Sequence, residues 1–301
     1  MDVPEVVLRR RLRAEGFPDH EVLRMLSAGG LTPVRRGAYI IGGLPAAAEL
    51  RHALRVQAAV DHLADAAVVS HVSAAVLHGL PVWGIALDTV QVTKPRRSGG
   101  RCGREVHVYT ASLASDEIVV AEGVDATSVA RTVVDLARTS GFEQAVAVAD
   151  AALHAELVSA AELDAALVRA TGWPGVPQAR RVLAFADARS ASVGESRSRV
   201  AIARAGLPTP VLQWQVIGRS GWVADVDFGW PKLRTVGEFD GEIKYGRLLK
   251  PGQSASDVVF AEKQREDAIR DEDLGVVRWI WADLSNFADT AKRLRRRFRS
   301  A

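Results

Sequence analysis

Cysteine is almost absent: the 301-residue chain has one, Cys102. That excludes an intrachain disulfide framework and a cysteine-built zinc site, and it fits a reducing compartment. Long apolar runs are missing too. No stretch approaches the roughly 18 apolar residues of a membrane span, so no membrane partner is expected. The opening residues, MDVPEVVLRRRLRAEG, are a charged amphipathic pattern rather than a secretory leader, and a cytoplasmic location is expected. Lysine is scarce, with six among 39 basic residues, so each lysine position is worth reading singly. A large net charge is lacking as well, at +3, yet the charge is uneven. KPRRSGGRCGR (94–104) holds five basic residues and no acid, and KRLRRRFR (292–299) holds six in eight. Such clusters suit contact with phosphates.

What is present is an ordinary globular composition, 48% hydrophobic and 25% charged, at a length that predicts two or three domains. One stretch breaks the pattern. In GEFDGEIKY (237–245) a strand period of two puts Glu238, Asp240, Glu242 and Lys244 on one face, with Phe239, Ile243 and Tyr245 on the other. Acidic neighbours on one strand face repel, and Asp, Glu and Gly are poor strand formers. A bound cation would offset that repulsion.

The order of elements frames this stretch. Residues 5–41 read helix, turn, helix, hairpin. VVLRRRLRAEGF is a short amphipathic helix, Asp19 after Pro18 is expected to cap a second, and LTPVRRGAYII makes two strands around Arg35-Arg36-Gly37. This is the layout of a winged helix-turn-helix, or of a helical cap with a shielding hairpin. The winged helix would place Arg24, on a helix over 20–28, in the major groove and Arg35 and Arg36 on phosphate. A second unit is expected over 44–172, with a helix at 46–64, strands in AAVVS, LDTVQVTK and REVHVYT, and mostly helix from Thr127 to Ala170. Lys94, Arg96 and Arg97 sit in its basic run, which is either a solvated hairpin loop or a further nucleic-acid contact.

The run LRMLSAGGLTPVRRGAYI, followed in order by VVSHVSAAVLHGLPVWG, HVYTASL, ATSVARTVVDLAR and AVAVADAAL, resembles the AbiEi-type antitoxins of type IV toxin-antitoxin systems. The resemblance covers residues 5–155. It implies a winged-helix transcription regulator that binds operator DNA, with a cognate toxin as a candidate partner.

Other chemistry is less well served. His71 and His78 are seven apart, not the three or four a shared metal wants, so both are expected to pack or hydrogen-bond. A Ser-His-Asp set from Ser70 or Ser73, His107 and Asp88 or Asp135 has no nucleophile-elbow glycines. Ser70 and Thr127 read as helix caps, and Arg131 with Asp135 as an i,i+4 pair.

GWPGVPQ (172–178) is read as the boundary to a last domain, 173–301. There the order is helix, three strands (VLQWQVI, WVADVDFGW, LRTVGEF), a charged helix, the strand VVRWIW and a final helix, an α/β core. Glu195 falls on the first helix, Asp225 and Asp227 on one strand face, Glu238 and Asp240 on the next strand. Two such strands can offer carboxylates to magnesium or manganese for phosphodiester hydrolysis. The run DFGWPKLRTVGEFDG is similar to the PD-(D/E)XK restriction-endonuclease-like fold, near the very-short-patch repair endonucleases, over residues 190–285. That resemblance implies Asp227 and Glu238 as metal ligands, with Asp240 standing where the motif has lysine and Glu195 as the helical acid. The lysine role falls to Lys244, to Lys263 or to none. Asp240-Gly241 also reads as a hairpin turn, which would make Glu242 and Lys244 an exposed return strand. The expected fold class is therefore multi-domain α/β: a winged helix (1–43), a helical/β middle domain and an endonuclease-like domain. A DNA-cutting enzyme and a non-catalytic regulator or antitoxin are the two functions it allows.

Overall fold

The computed structural model describes residues 4–60, 67–96, 99–218, 221–241 and 264–300. The chain is mixed α/β and divides into two compact units, residues 1–186 and 187–301.

The first unit opens with β1 (Val7–Leu8), α1 (Arg9–Ala14), α2 (Asp19–Ser27), β2 (Leu31–Arg35) and β3 (Ala38–Ile41). The three strands are antiparallel in the order β1-β3-β2. Helical spacing brings Val22, Met25 and Leu26 of α2 onto Leu12, Leu31 and Tyr39, closing a small core under the hairpin. The start of α2 differs from expectation. Pro18 holds the N-cap position, and the Asp19 carboxylate accepts from Arg9 and Arg13 instead of capping. Nor does this segment stand apart, because Leu8 and Ala38 bury against Ala58 of α3 (Ala48–Val60).

The unit continues through β4 (Val68–Val69), α4 (His71–Leu77), β5 (Val90–Lys94), β6 (Arg101–Cys102), β7 (Val106–Thr110), β8 (Ile118–Ala121) and β9 (Val124–Thr127). These strands make one sheet ordered β6-β7-β5-β4-β9-β8. Four helices follow: α5 (Val129–Thr139), α6 (Phe142–His154), α7 (Ala160–Arg169) and α8 (Val176–Phe185). GWPGVPQ is a turn inside this unit, not its edge. Val176 packs with Val134, Ala166 and Ala170, and a Cβ on Gly175 (φ +83°) would lie 2.3 Å from the Arg138 carbonyl oxygen. The expected caps are also rearranged. Ser128, not Thr127, caps α5, while the Ser70 hydroxyl turns to His71.

The interior of this unit is charged. Asp135, fully buried, accepts from Arg131 Nε and Arg138 Nη2, both at 2.8 Å, and Arg131 also meets Glu117 at 3.2 Å. His71 beside them is 1% exposed, and burial pushes its imidazole down to about 4, helped by Arg138, Arg131 and His107 and opposed by Asp135. A histidine kept neutral in the native state binds fewer protons than the unfolded chain between pH 4 and 6.5. Its contribution is therefore intact above pH 6.5 and lost as pH falls toward 4, by about 3 kcal/mol in all. The melting temperature of the first unit should fall over that window, and His71→Gln should flatten that part of the profile; an unchanged slope in calorimetry would contradict it.

The second unit runs α9 (Val193–Arg204), β10 (Val211–Gly218), β11 (Gly221–Trp230), β12 (Thr235–Asp240), α10 (264–271), β13 (Gly275–Ile280), α11 (Trp281–Ser285) and α12 (Ala288–Phe298). The sheet order is β10-β11-β12-β13, antiparallel through β12, with β13 parallel to β12. A parallel pair needs a crossover, and α10 lies within it. One core joins Ile202, Phe228, Phe239 and Trp279; the other joins Val216, Val226, Val236 and Ile269 of α10. The first is tight. A Cβ on Gly194 of α9 would fall 1.9 Å from the Phe239 ring, so α9 touches the sheet where only glycine fits.

Candidate metal and nucleic-acid site

Two features of the second unit's sheet coincide. On a regular strand, residues two apart face the same side. Val226 and Phe228 nevertheless lie in different cores, as do Trp214 and Leu212 opposite them, so alternation breaks at Asp227 and at Gln213. Gln213 takes φ +47°, a conformation that costs a non-glycine residue energy. The regular β11/β12 pairing ends at Phe228 and Gly237. One step further the register sets Asp227 across from Glu238, and Asp227 Oδ2 accepts the backbone N–H of Phe239 at 2.9 Å. The carboxylate thus takes the place of a ladder carbonyl at the strand ends. Asp227 and Glu238 thus lie across from each other on neighbouring strands, Asp240 ends β12 two residues further on, and Asp225 stays exposed on β11, where Trp222 Nε1 donates to it at 3.3 Å.

Glu195 is held nearby by capping. It is the third residue of α9: its oxygens accept from the Ala191 N–H and the Ser192 hydroxyl, and Gln213 Nε2 donates to it at 2.9 Å. Gln213 therefore ties the helical acid to the strand position opposite Asp227. Sequence reading missed Gln213 and Gly194. The signal for Gly194 was there, a glycine inside a capped helix.

Glu238 is not an uncompensated acid. It is 6% exposed; Arg278, its register partner on β13, donates from Nε at 3.0 Å, and Arg265 of α10 donates to its other oxygen. Arg278 in turn reaches Glu266 at 3.3 Å. The guanidinium groups offset the expected repulsion along this face. Lys244, Glu242, Lys263 and Arg97 lie outside the described residues. Among the described residues no group of three or more His, Cys, Asp or Glu side chains is gathered as for a metal. Magnesium needs fewer, one or two carboxylates completed by water and phosphate. Asp227 and Glu238 fit that smaller requirement once Arg265, whose side chain is 42% exposed, gives up its oxygen.

The DNA-contact candidates fall in the first unit. Arg36 is exposed at the hairpin turn; Arg24 is exposed on α2 and pairs with Glu21 at 2.8 Å. Arg35 is drawn back, donating to Glu105 at 2.8 Å with its side chain 21% exposed. Lys94 ends β5 half-buried, and Arg96 is exposed, donating to the Gly99 carbonyl. Two histidines are structural in their contacts: His78 Nε2 donates to the Thr127 carbonyl, and His52 bonds Ser73. No helix among the described residues is long and apolar enough to cross a membrane.

Because Glu238 shares its charge with two arginines, removing it strips two partly buried ion pairs rather than relieving repulsion. Glu238→Ala should destabilise the second unit by about 2 kcal/mol. Chemical denaturation of the metal-free protein checks this, and a variant as stable as the wild type would contradict it.

No protein-family model matches the chain. Two uncharacterized proteins of Mycobacterium tuberculosis, MT2308 of strain CDC 1551 and Rv2248 of strain H37Rv, are each 37% identical over 115 residues, 38% of this chain. The match spans 42% of those relatives' length. A crystal structure of the RV2827C protein from Mycobacterium tuberculosis aligns with 71% of this chain and 84% of its own, at 16% identity and a TM-score of 0.41, too slight a likeness to carry an argument.

Proposed function

We propose that the chain is a DNA-binding protein whose second unit hydrolyses nucleic-acid phosphodiesters with a divalent metal, magnesium or manganese. The observation that carries this is the placement of Asp227 across from Glu238 at the point where the β11/β12 ladder ends, in a helix, three-strand, helix, parallel-strand core. The resemblance of DFGWPKLRTVGEFDG to PD-(D/E)XK endonucleases supports the same reading.

Asp227 and Glu238 would hold the ion, with Asp240 at the edge of the same site. A bound metal would supply hydroxide near neutral pH and steady charge on the phosphate. Asp227 is fixed for that role because the Phe239 N–H orients its carboxylate. Glu238 becomes a ligand by exchanging the outer of its two guanidinium partners. Arg265, once released, is a cation beside the phosphate. Glu195 positions the start of α9 and reaches the site through Gln213. Lys244 is the residue proposed to assist the attacking water.

Duplex contact would come from the first unit, with α2 and the β2–β3 turn as a winged helix. The order of elements and the exposed Arg24 and Arg36 support this, and the AbiEi resemblance adds operator binding. A second reading has its own support. With Glu238 satisfied by Arg265 and Arg278, and Glu195 engaged in capping, the fold serves equally as a non-catalytic scaffold of a transcription regulator or antitoxin with a toxin partner.

Incubating the purified protein with plasmid and linear DNA, with and without magnesium or manganese, separates the two. Metal-dependent cutting that Asp227→Ala abolishes is expected; binding without cutting in either metal would leave the regulator.

DNA affinity carries a separate prediction. Arg36→Ala should weaken duplex binding and reduce the slope of log K against log salt by about 0.9, the share of one phosphate. An unaltered slope in a salt titration would remove the hairpin turn from the interface.

A further inference from the structure

The first unit contains a cleft of about 600 Å³ that the DNA reading does not use. Its floor and wall are flat rings: His71 stacks on Tyr109 with centroids 3.6 Å apart, and Tyr109 on His107 at 4.1 Å, each pair 14° from parallel. Arg131 and Arg138 close the far side, both over the face of Trp173.

Two polar atoms there are buried without a hydrogen-bond partner, His71 Nε2 and Arg138 Nε. Both are donors. The Thr93 hydroxyl donates to Ser70 Oγ, and the tautomer that uses the Ser70 proton sends it to His71 Nδ1 at 2.9 Å, with the imidazole proton on Nε2. Arg138 spends its other nitrogens on the Pro174 carbonyl and Asp135. A buried donor without an acceptor destabilises the fold. His71 also holds φ +52°, a strained backbone for a side chain of its size. Strain and unmet donors on one cleft, in a volume within the usual range of small-molecule sites, are what an absent acceptor would account for.

We propose that this cleft binds a small planar carboxylate, whose oxygens accept from His71 Nε2 and Arg138 Nε. Planarity follows from the walls, because a flat molecule enters beside stacked rings with least loss of contact. Tyr109 covers His71, so entry turns its ring aside. The negative charge is matched at the rim, where Arg101 is exposed, while Arg131 and Arg138 are balanced by Asp135 and Glu117.

Cys102 is exposed on the rim and is the chain's single cysteine, which makes it a reporter. The test titrates the full-length protein with benzoate, cyclohexanecarboxylate or inorganic phosphate, following heat and the rate at which N-ethylmaleimide alkylates Cys102 by mass spectrometry. Benzoate should bind one saturable site and slow alkylation, with the non-planar acid at least about ten-fold weaker and phosphate without effect. Arg138→Lys and His71→Gln test the donors, each expected to weaken benzoate by about ten-fold or less; the wild-type alkylation result decides if either variant fails to fold. Absence of saturable protection by benzoate would overturn the site, and equal protection by phosphate or by cyclohexanecarboxylate would overturn its ligand class.

Discussion

A backbone amide at the end of a sheet ladder needs an acceptor, and in the second unit the Phe239 amide takes a side chain, the carboxylate of Asp227. Much of that unit's arrangement depends on this bond. Asp227 is turned into the gap between strands, so alternation along β11 breaks there and Val226 and Phe228 enter different cores. Gln213 opposite it adopts a positive φ, and its amide then reaches Glu195 on α9. Phe239, whose amide is held, packs its ring against Gly194 of the same helix. One exchange of a carbonyl for a carboxylate thus relates three strands and a helix to each other.

The charge next to that bond is balanced in a way that constrains chemistry. A carboxylate as buried as Glu238 is costly without partners, and the chain provides two guanidinium groups from β13 and α10. Arg278 is the fixed arm, paired by strand register and engaged with Glu266. Arg265 is the more exposed arm. At the proposed metal site a divalent ion and a guanidinium would compete for the same oxygen, so metal affinity would be the difference between two attractions rather than the gain of one. The same balance that stabilises the metal-free unit would set the threshold for entry of the proposed ion.

The α/β order of both units was legible in periodicity and punctuation. The β10–β12 strands are marked by Val, Trp and Phe, the GLPTP run ends α9, and the Arg131–Asp135 pair is set by helical spacing alone. What was not legible has physical causes. The short β8–β9 hairpin in IVVAEGVDAT carries too few residues for a pattern to stand out. GWPGVPQ has the composition of a linker but bends within a packed unit, because Val176 on the next helix completes the hydrophobic cluster of α5 and α7. Asp227, Glu238 and Asp240 were found as acids on neighbouring strands. Their neutralisation by Arg265 and Arg278 was not, since the two arginines lie far along the chain and only the parallel register brings Arg278 beside Glu238.

The first unit makes the same point about arginine from another side. Its exposed basic residues invite a phosphate reading, yet several are engaged with acids: Arg9 and Arg13 with Asp19, Arg11 with Glu5 and Glu15, Arg35 with Glu105. Exposed pairs of this kind contribute little to stability, but each acid lowers the local positive potential that a phosphate would meet. Arg36, exposed at the turn and proposed to touch phosphate, would do so without first releasing a carboxylate partner among the described residues. The Arg35–Glu105 pair has a further consequence. It joins β2 of the hairpin to the residue preceding β7, the strand that carries His107 and Tyr109. A shift of Tyr109 that moves β7 is therefore felt beside the hairpin turn through one ion pair, which is a physical route from the cleft to the element proposed to touch DNA.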